Sequence, residues 1–166
     1  MGEIGKLGFG FMRLPEVEGA DGSKEIDLDT LAGMVDTFMD GGFTYFDTAR
    51  GYHGGRSEAA LKAAVVDRYP RDSFQVATKL PAWMAKDAAD ARAMFDTSLE
   101  QTGAGYFDFF LLHNLGEERT RLFDDWGSVS YTHLDVYKRQ GMGALYCLLG
   151  NRRNPVTEKA EDLPAI

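Results

Sequence analysis

Apolar residues along this chain alternate between two kinds of spacing. Near 7–14, 43–48, 74–80 and 106–113 they run together in short blocks rich in aromatic and β-branched residues, the pattern of strands. Between the blocks they return every three or four residues, as on one face of a helix. Asp27 is a candidate N-cap, followed by Leu28, Leu31, Ala32, Val35, Phe38 and Met39 on one face and by Gly41-Gly42 as a stop. Ala60, Leu61, Ala64 and Val65 predict a second helix over 57–67. Asp87 caps a third, with Ala91, Met94, Phe95 and Leu99 inward and Gly103 and Gly105 behind it. The polar, glycine-containing residues 16–24 predict a loop, 69–72 a turn, and Pro81 closes the third strand. The last block, Tyr106-Phe-Asp-Phe-Phe-Leu-Leu-His113, is nearly continuous in apolar residues, as a strand covered on both faces should be.

Strands therefore begin near residues 7, 43, 74 and 107, at steps of 36, 31 and 33. Strand and helix repeating at a near-constant step is the signature of βα units in a parallel sheet. Eight such units need about 250 residues, the usual size of a (β/α)8 TIM barrel. Only 51 residues follow Leu115. The fold class expected is α/β, a partial (β/α)8 barrel of about four units.

Composition narrows the partners. With 44% hydrophobic and 27% charged residues, the chain has the balance of a soluble globular domain. Its net charge of −8 speaks against nucleic acid, whose binders are normally basic. No apolar run approaches the roughly 20 residues of a membrane span. The first residues lack the blocks of a signal peptide, and position 6 is Lys where a myristoylation signal needs Ser or Thr, so a cytoplasmic location is expected. The single cysteine, Cys147, cannot by itself build a disulfide framework, a Cys-pair zinc site or an iron–sulfur motif.

Four polar residues stand at or just after strand ends: Asp47, Tyr52, Lys79 and His113. In a barrel all four face one mouth, where ligands bind in α/β folds. A phenol is a proton donor held in reserve, and an ammonium beside it favours the phenolate. A carboxylate orients that ammonium, and an imidazole N–H positions a substrate oxygen. Together they suit protonation of an alkoxide forming on a carbonyl carbon, with hydride supplied by a separate donor. Other readings stay open. Lys79 suits a Schiff base of the aldolase kind. Asp47 could cap a turn, Tyr52 and His53 could sit on a pocket rim, and His113 could be a structural histidine. A metal site from His53, His113 and Asp47 is poor, because no closely spaced histidine pair lies on one element. Gly8-x-Gly10 lets backbone approach a neighbouring strand or a ligand.

The motifs Gly8-Phe-Gly-Phe-Met-Arg-Leu14, Tyr45-Phe-Asp-Thr-Ala-Arg-Gly-Tyr-His53, Ala77-Thr-Lys-Leu80 and Phe109-Phe-Leu-Leu-His113 resemble, in this order, those of the aldo-keto reductases. The resemblance covers about residues 7–115. It implies Tyr52 as general acid, Lys79 as the group that eases its ionisation, Asp47 as partner of Lys79, and His113 as the group orienting the carbonyl. It also implies NADPH, less often NADH, with Met12, Arg13 and Asp47 near the nicotinamide, and a small-molecule aldehyde or ketone as substrate. Tyr69-Pro-Arg-Asp-Ser-Phe74 and Tyr106-Phe-Asp-Phe109 are similar to one branch whose members often carry a C-terminal ferredoxin-like module. Nothing in this chain ligates such a cluster.

Residues 117–127 begin a helical pattern, but Ser128-Val-Ser-Tyr-Thr-His-Leu-Asp-Val-Tyr-Lys-Arg-Gln140 breaks it. That stretch resembles one that recurs at the ends of unrelated translated shotgun assemblies. The expectation is an N-terminal barrel half over 1–127 and a non-native or irregular tail over 128–166, in which His133 and Cys147 carry no function. In the aldo-keto reductase family later strands and loops hold the dinucleotide's phosphates, and a four-stranded half leaves two strand edges unpaired and an apolar face uncovered, so this chain is expected to be poorly soluble or molten, and inactive, alone. A non-functional fragment, or a half that works only with another half, is the non-enzymatic alternative.

Overall fold

The computed structural model of the chain describes residues 6–20 and 22–114. The expectations for 115–166, including the helical start at 117–127, the boundary after Gly127, His133 and Cys147, lie outside the described residues.

In chain order the elements are β1 (Gly8–Gly10), β2 (Glu16–Glu18), β3 (Lys24–Ile26), α1 (Leu28–Asp40), β4 (Tyr45–Asp47), α2 (Ser57–Leu61), β5 (Gln75–Leu80), α3 (Ala88–Thr102) and β6 (Phe109–Leu112). Strands β1, β4, β5 and β6 form one sheet in that spatial order, every neighbouring pair parallel. Each step is a crossover carrying a helix, so the sheet is built as consecutive βα units. This is a partial (β/α)8 barrel, in which β1 and β6 form the sheet's edges among the described residues.

The helices begin and end for local reasons. The Asp27 carboxylate accepts the Thr30 N–H at 3.0 Å, and the Asp87 carboxylate accepts that of Asp90 at 2.8 Å. Both satisfy amides that the first helical turn leaves without partners. Gly103 ends α3 at φ +62°, a left-handed conformation that glycine adopts without strain. The helix expected over 57–67 starts at Ser57, but after Leu61 it widens into a π-type turn over Lys62–Val66.

Residues 16–24 are not a simple loop. Glu16–Glu18 and Lys24–Ile26 pair antiparallel, with Glu16 opposite Ile26 and Glu18 opposite Lys24. The turn closes through Gly19 N–H to the Ser23 carbonyl at 2.7 Å, with Gly22 at φ +79°. Of its six strand residues only Ile26 is partly buried, against the core, so the hairpin left no hydrophobic alternation to read.

Register decides what faces what. Gly10, Asp47 and Ala77 lie side by side across three strands; Lys79 pairs with Leu111, and Leu80 with Leu112. Side chains alternate across a strand. Phe9, Phe46, Val76, Thr78, Leu80, Phe110 and Leu112 therefore face the helices, while Tyr45, Asp47, Ala77, Lys79, Phe109 and Leu111 face the barrel interior. The helix-facing set meets Leu31, Val35, Phe38, Leu61, Ala64 and Val65 in the main core. Phe46, fully buried, has Phe38 at 5.2 Å and Phe74 at 6.2 Å between ring centroids. At the bottom of the sheet, a Cβ on Gly8 would meet the Tyr45 ring at 2.8 Å. That glycine is a packing requirement.

Candidate active site

Asp47 ends β4, Lys79 lies one residue from the end of β5, and His113 follows β6. The strands are in register, so all three come to the carboxyl end of the same sheet. The Lys79 ammonium donates to Asp47 Oδ1 and to the Thr48 carbonyl, the latter at 2.8 Å. The two side chains are 13% and 28% exposed, which places the pair at the mouth and not deep in the core. Tyr52 opens a short 3-10 turn, Tyr52–Gly55, above β4. Lys79 Nζ lies 4.8 Å from the centroid of its ring. The His113 ring meets the other side of this arrangement edge-on, 5.6 Å from the Tyr52 centroid at 88°. The four residues singled out from the sequence thus form one cluster.

The loop that carries Tyr52 is fastened from outside. His53 Nε2 accepts the backbone N–H of Leu14 at 3.0 Å, while its Nδ1 is 3.3 Å from Glu16 Oε1. Arg56 donates to the His53 carbonyl at 3.0 Å and to the Lys24 carbonyl at 2.8 Å. The β2–β3 hairpin is therefore tied to the residues just after Tyr52. His53 itself has φ +50°, an uncommon backbone conformation that these contacts hold in place. The rim role for His53 does not describe this geometry: its side chain is only 9% exposed and works as a tie. Beneath the loop, the Thr48 and Ser57 hydroxyls lie 2.8 Å apart, and Ser57 donates to the Phe11 carbonyl at 2.9 Å.

Two groups were not foreseen as parts of the site. Glu58 is fully buried and accepts from the Thr78 hydroxyl at 2.7 Å. Burial, before any other influence, raises its carboxyl above the ordinary range, against lowering by the Thr78 and Ser98 hydrogen bonds and the charges of Arg50 and Lys79. A signal was present: Glu58 stands three residues before Leu61 and seven before Val65, inside the apolar stripe of its helix. Trp83, on the turn after Pro81, packs its ring 5.1 Å from His113. Lower in the barrel, the Tyr45 phenol is pushed up to about 12 by burial and then by the Asp47 charge.

An open cleft of about 540 Å3 reaches this cluster, lined by Arg50, Tyr52, Trp83, Met84, Gln101 and His113 among others. Met12 and Arg13 lie on the loop after β1, both exposed, and neither lines the cleft. Across from Asp47, a Cβ on Gly10 would meet nothing within 4 Å, so the mouth is open on that side. Among the described residues, no group of three His, Cys, Asp or Glu side chains could hold a metal ion. No helix among them is long and apolar enough to cross a membrane.

A sequence model of the aldo/keto reductase family matches residues 6–142. The chain belongs to this family. An aldo-keto reductase from Mycolicibacterium smegmatis is 32% identical over 95 residues, which are 57% of this chain and 32% of that protein. A putative aldo-keto reductase from Pseudomonas aeruginosa superimposes with a TM-score of 0.60 at 23% identity, covering 83% of this chain and 52% of that one. An aldo-keto reductase from Klebsiella pneumoniae, solved in complex with NADPH, gives a TM-score of 0.55 at 26% identity, covering 74% of this chain and 41% of that one. The chain spans about half the length of these solved aldo-keto reductases, and the match spans a third of the curated relative. The part of the family fold described here is four parallel strands with the three helices that connect them.

Proposed function

We propose that the site reduces aldehydes or ketones to alcohols, or runs the reverse oxidation, with NADPH or NADH as partner. The observation that carries this reading is Lys79, bonded to Asp47 while its ammonium sits 4.8 Å from the Tyr52 ring centroid. In the proposed roles, Tyr52 gives its proton to the carbonyl oxygen, and Lys79 stabilises the negative charge left on the phenol. Asp47 and the Thr48 carbonyl hold the ammonium in place. His113, against the Tyr52 ring, positions the substrate oxygen. Trp83 and Tyr52 wall the cleft beside the reacting carbonyl.

The nicotinamide cofactor, when bound, supplies the hydride that no side chain can. The residues present fit such a group, because the open side of the mouth beside Asp47, across from Gly10, leaves room for a flat ring. Asp47, with Met12 and Arg13 on the adjoining loop, would hold the nicotinamide end. The NADPH complex of the Klebsiella relative supports this choice of cofactor.

The aldolase reading is weaker. Schiff-base formation needs an amine lone pair free to attack a carbonyl. Lys79 donates instead to two oxygens, the arrangement of a fixed cation. The reaction is proposed for a complete barrel, and the 166-residue chain is expected to be inactive alone, since β1 and β6 stand at the edges of the described sheet. The division into a barrel half over 1–127 and a tail over 128–166 is kept as part of this proposal, although the family match runs to residue 142. The genomic reading frame after Gly127 tests it. Continuation into further βα units would mark the tail as foreign, and a frame ending after Ile166 would refute the division.

Hydride transfer tests the chemistry. The chain, alone and co-expressed with the C-terminal half of a relative, is given deuterium-labelled NADPH and an aldehyde. Label on the alcohol carbon in the co-expressed sample, missing from the chain alone and lowered roughly 10²–10⁴-fold in rate by Tyr52→Phe, is the expected result. Substrate trapped on Lys79 by borohydride, without label transfer, would replace the reductase reading with the aldolase one.

A further inference from the structure

Arg56, Arg68 and Arg71 each spend the guanidinium on carbonyls or a carboxylate of their surroundings. Arg71 uses its guanidinium on the Phe74, Ala104 and Tyr106 carbonyls and on Asp108. Arg50 does the opposite. It makes no hydrogen bond or ion pair with a described residue, and its Nη1 is buried without a partner. Yet it stands two residues before Tyr52 and lines the same cleft as Tyr52, Trp83 and His113. A guanidinium nitrogen withdrawn from water with no acceptor is costly unless something supplies one.

One internal candidate is Glu58, whose carboxyl feels the charge of Arg50. It does not close the pair. Glu58 Oε1 is taken by Thr78, and Oε2 is itself buried without a hydrogen-bond partner. A guanidinium that served mainly as the counter-ion of a buried carboxylate would be seated on it. A second orphan borders the same cleft: Gln101 Oε1 is buried without a partner. Turned about its terminal torsion, that amide presents N–H donors to the place its oxygen occupies.

We propose that Arg50 receives a carboxylate carried by the carbonyl substrate, with Gln101 as a second donor, so that the preferred substrates are oxo acids rather than neutral aldehydes. This deepens the reductase reading and rests on it. The planar fork of a guanidinium matches a carboxylate in two parallel hydrogen bonds. A phosphate would match as well, and the cofactor carries phosphates. The position of Arg50 favours the substrate, because its neighbour Tyr52 is the group proposed to protonate the carbonyl being reduced.

The test compares a matched pair, 4-oxobutanoate and butanal, in the full chain co-expressed with a C-terminal half. The wild type is expected to favour the acid in kcat/KM. Arg50→Met is expected to lower the acid-to-neutral ratio about 10- to 100-fold, mostly through KM, with Arg50→Lys restoring part of it. An unchanged ratio overturns the proposal. A rise in KM for NADPH with none for NADH also overturns it, by assigning the anion to the cofactor phosphate. Binding of butanoate, followed by saturation-transfer NMR on the full chain, needs no turnover. Loss of that binding in Arg50→Met and in Gln101→Leu, with part of it kept in Arg50→Lys, supports the site even where no hydride moves, whereas butanoate binding unaffected by all three overturns it. Absence of hydride transfer to either aldehyde would instead count against the reductase reading. A circular-dichroism spectrum matching the wild type shows that each variant is folded.

Discussion

Nε2 of His53 accepts the backbone N–H of Leu14 at 3.0 Å, joining the loop of Tyr52 to the loop that follows β1 across 39 residues of chain. A buried amide that loses its acceptor costs on the order of 1–3 kcal/mol. His53→Ala is expected to destabilise the chain by about that amount and to speed amide exchange at Leu14. In the active assembly it is expected to lower kcat and raise KM together, because the loop it holds carries both the acid and one wall of the cleft. His53→Gln places an amide oxygen near the Nε2 position and restores part of the loss. Unchanged exchange at Leu14 in the alanine variant would show that the tie does not hold the loop.

Tyr52→Phe removes the proposed proton donor and leaves the ring against Lys79 and His113. A general acid contributes roughly 10²–10⁴-fold. Carbonyl reduction by the complete barrel is expected to fall by that factor in kcat, with the thermal midpoint within a few degrees of wild type. A Tyr52→Phe enzyme with full kcat would remove the phenol from the mechanism.

Glu58 gives stability a pH dependence of definite sign. Its folded carboxyl is raised, mainly by burial, above its ordinary value of 4.5. As pH climbs past 4.5 the unfolded chain releases this proton first, so the contribution of Glu58 to stability falls until the folded form ionises too. Glu58→Gln keeps an oxygen for Thr78 and removes the titration. It is expected to be more stable than wild type above that window and to lose this advantage below about pH 4. Denaturant midpoints across pH 3–8 check this; parallel curves for the two proteins would contradict it.

Arg71 joins the start of β5 to the approach to β6. Besides its carbonyl contacts it pairs with Asp108 at 2.7 Å, and Asp108 also accepts the Val76 N–H at 2.8 Å. Removing one partner of such a half-buried pair leaves the other charge uncompensated. Arg71→Ala is expected to cost about 3–5 kcal/mol, and Arg71→Lys less, because an ammonium keeps a charge opposite Asp108 even though it cannot reach all four acceptors. Chemical denaturation of each variant measures the difference.

Much of this arrangement could be read along the chain. Strand starts expected near 7, 43, 74 and 107 fall at Gly8, Tyr45, Gln75 and Phe109, and both aspartate caps hold their helices. These features depend on neighbours within a few residues, so local sequence carries them. The β2–β3 hairpin escaped because its pairing is made by backbone groups on residues that, Ile26 apart, are exposed and leave no apolar rhythm. His53 escaped for a related reason: its partners, Leu14 and Glu16, lie far away in the chain.

From residue order alone came the βα repeat and the presence of a carboxylate, a phenol, an ammonium and an imidazole at successive strand ends. Folding added their meeting. Parallel register set Asp47 and Lys79 on one face, close enough to bond, and brought the Tyr52 ring over the ammonium. It also left Arg50 Nη1 buried without an acceptor among the described residues and enclosed Glu58 away from water. Periodicity reports which side of an element is covered, whereas the identity of a distant partner depends on strand register and crossover geometry, which no local pattern encodes.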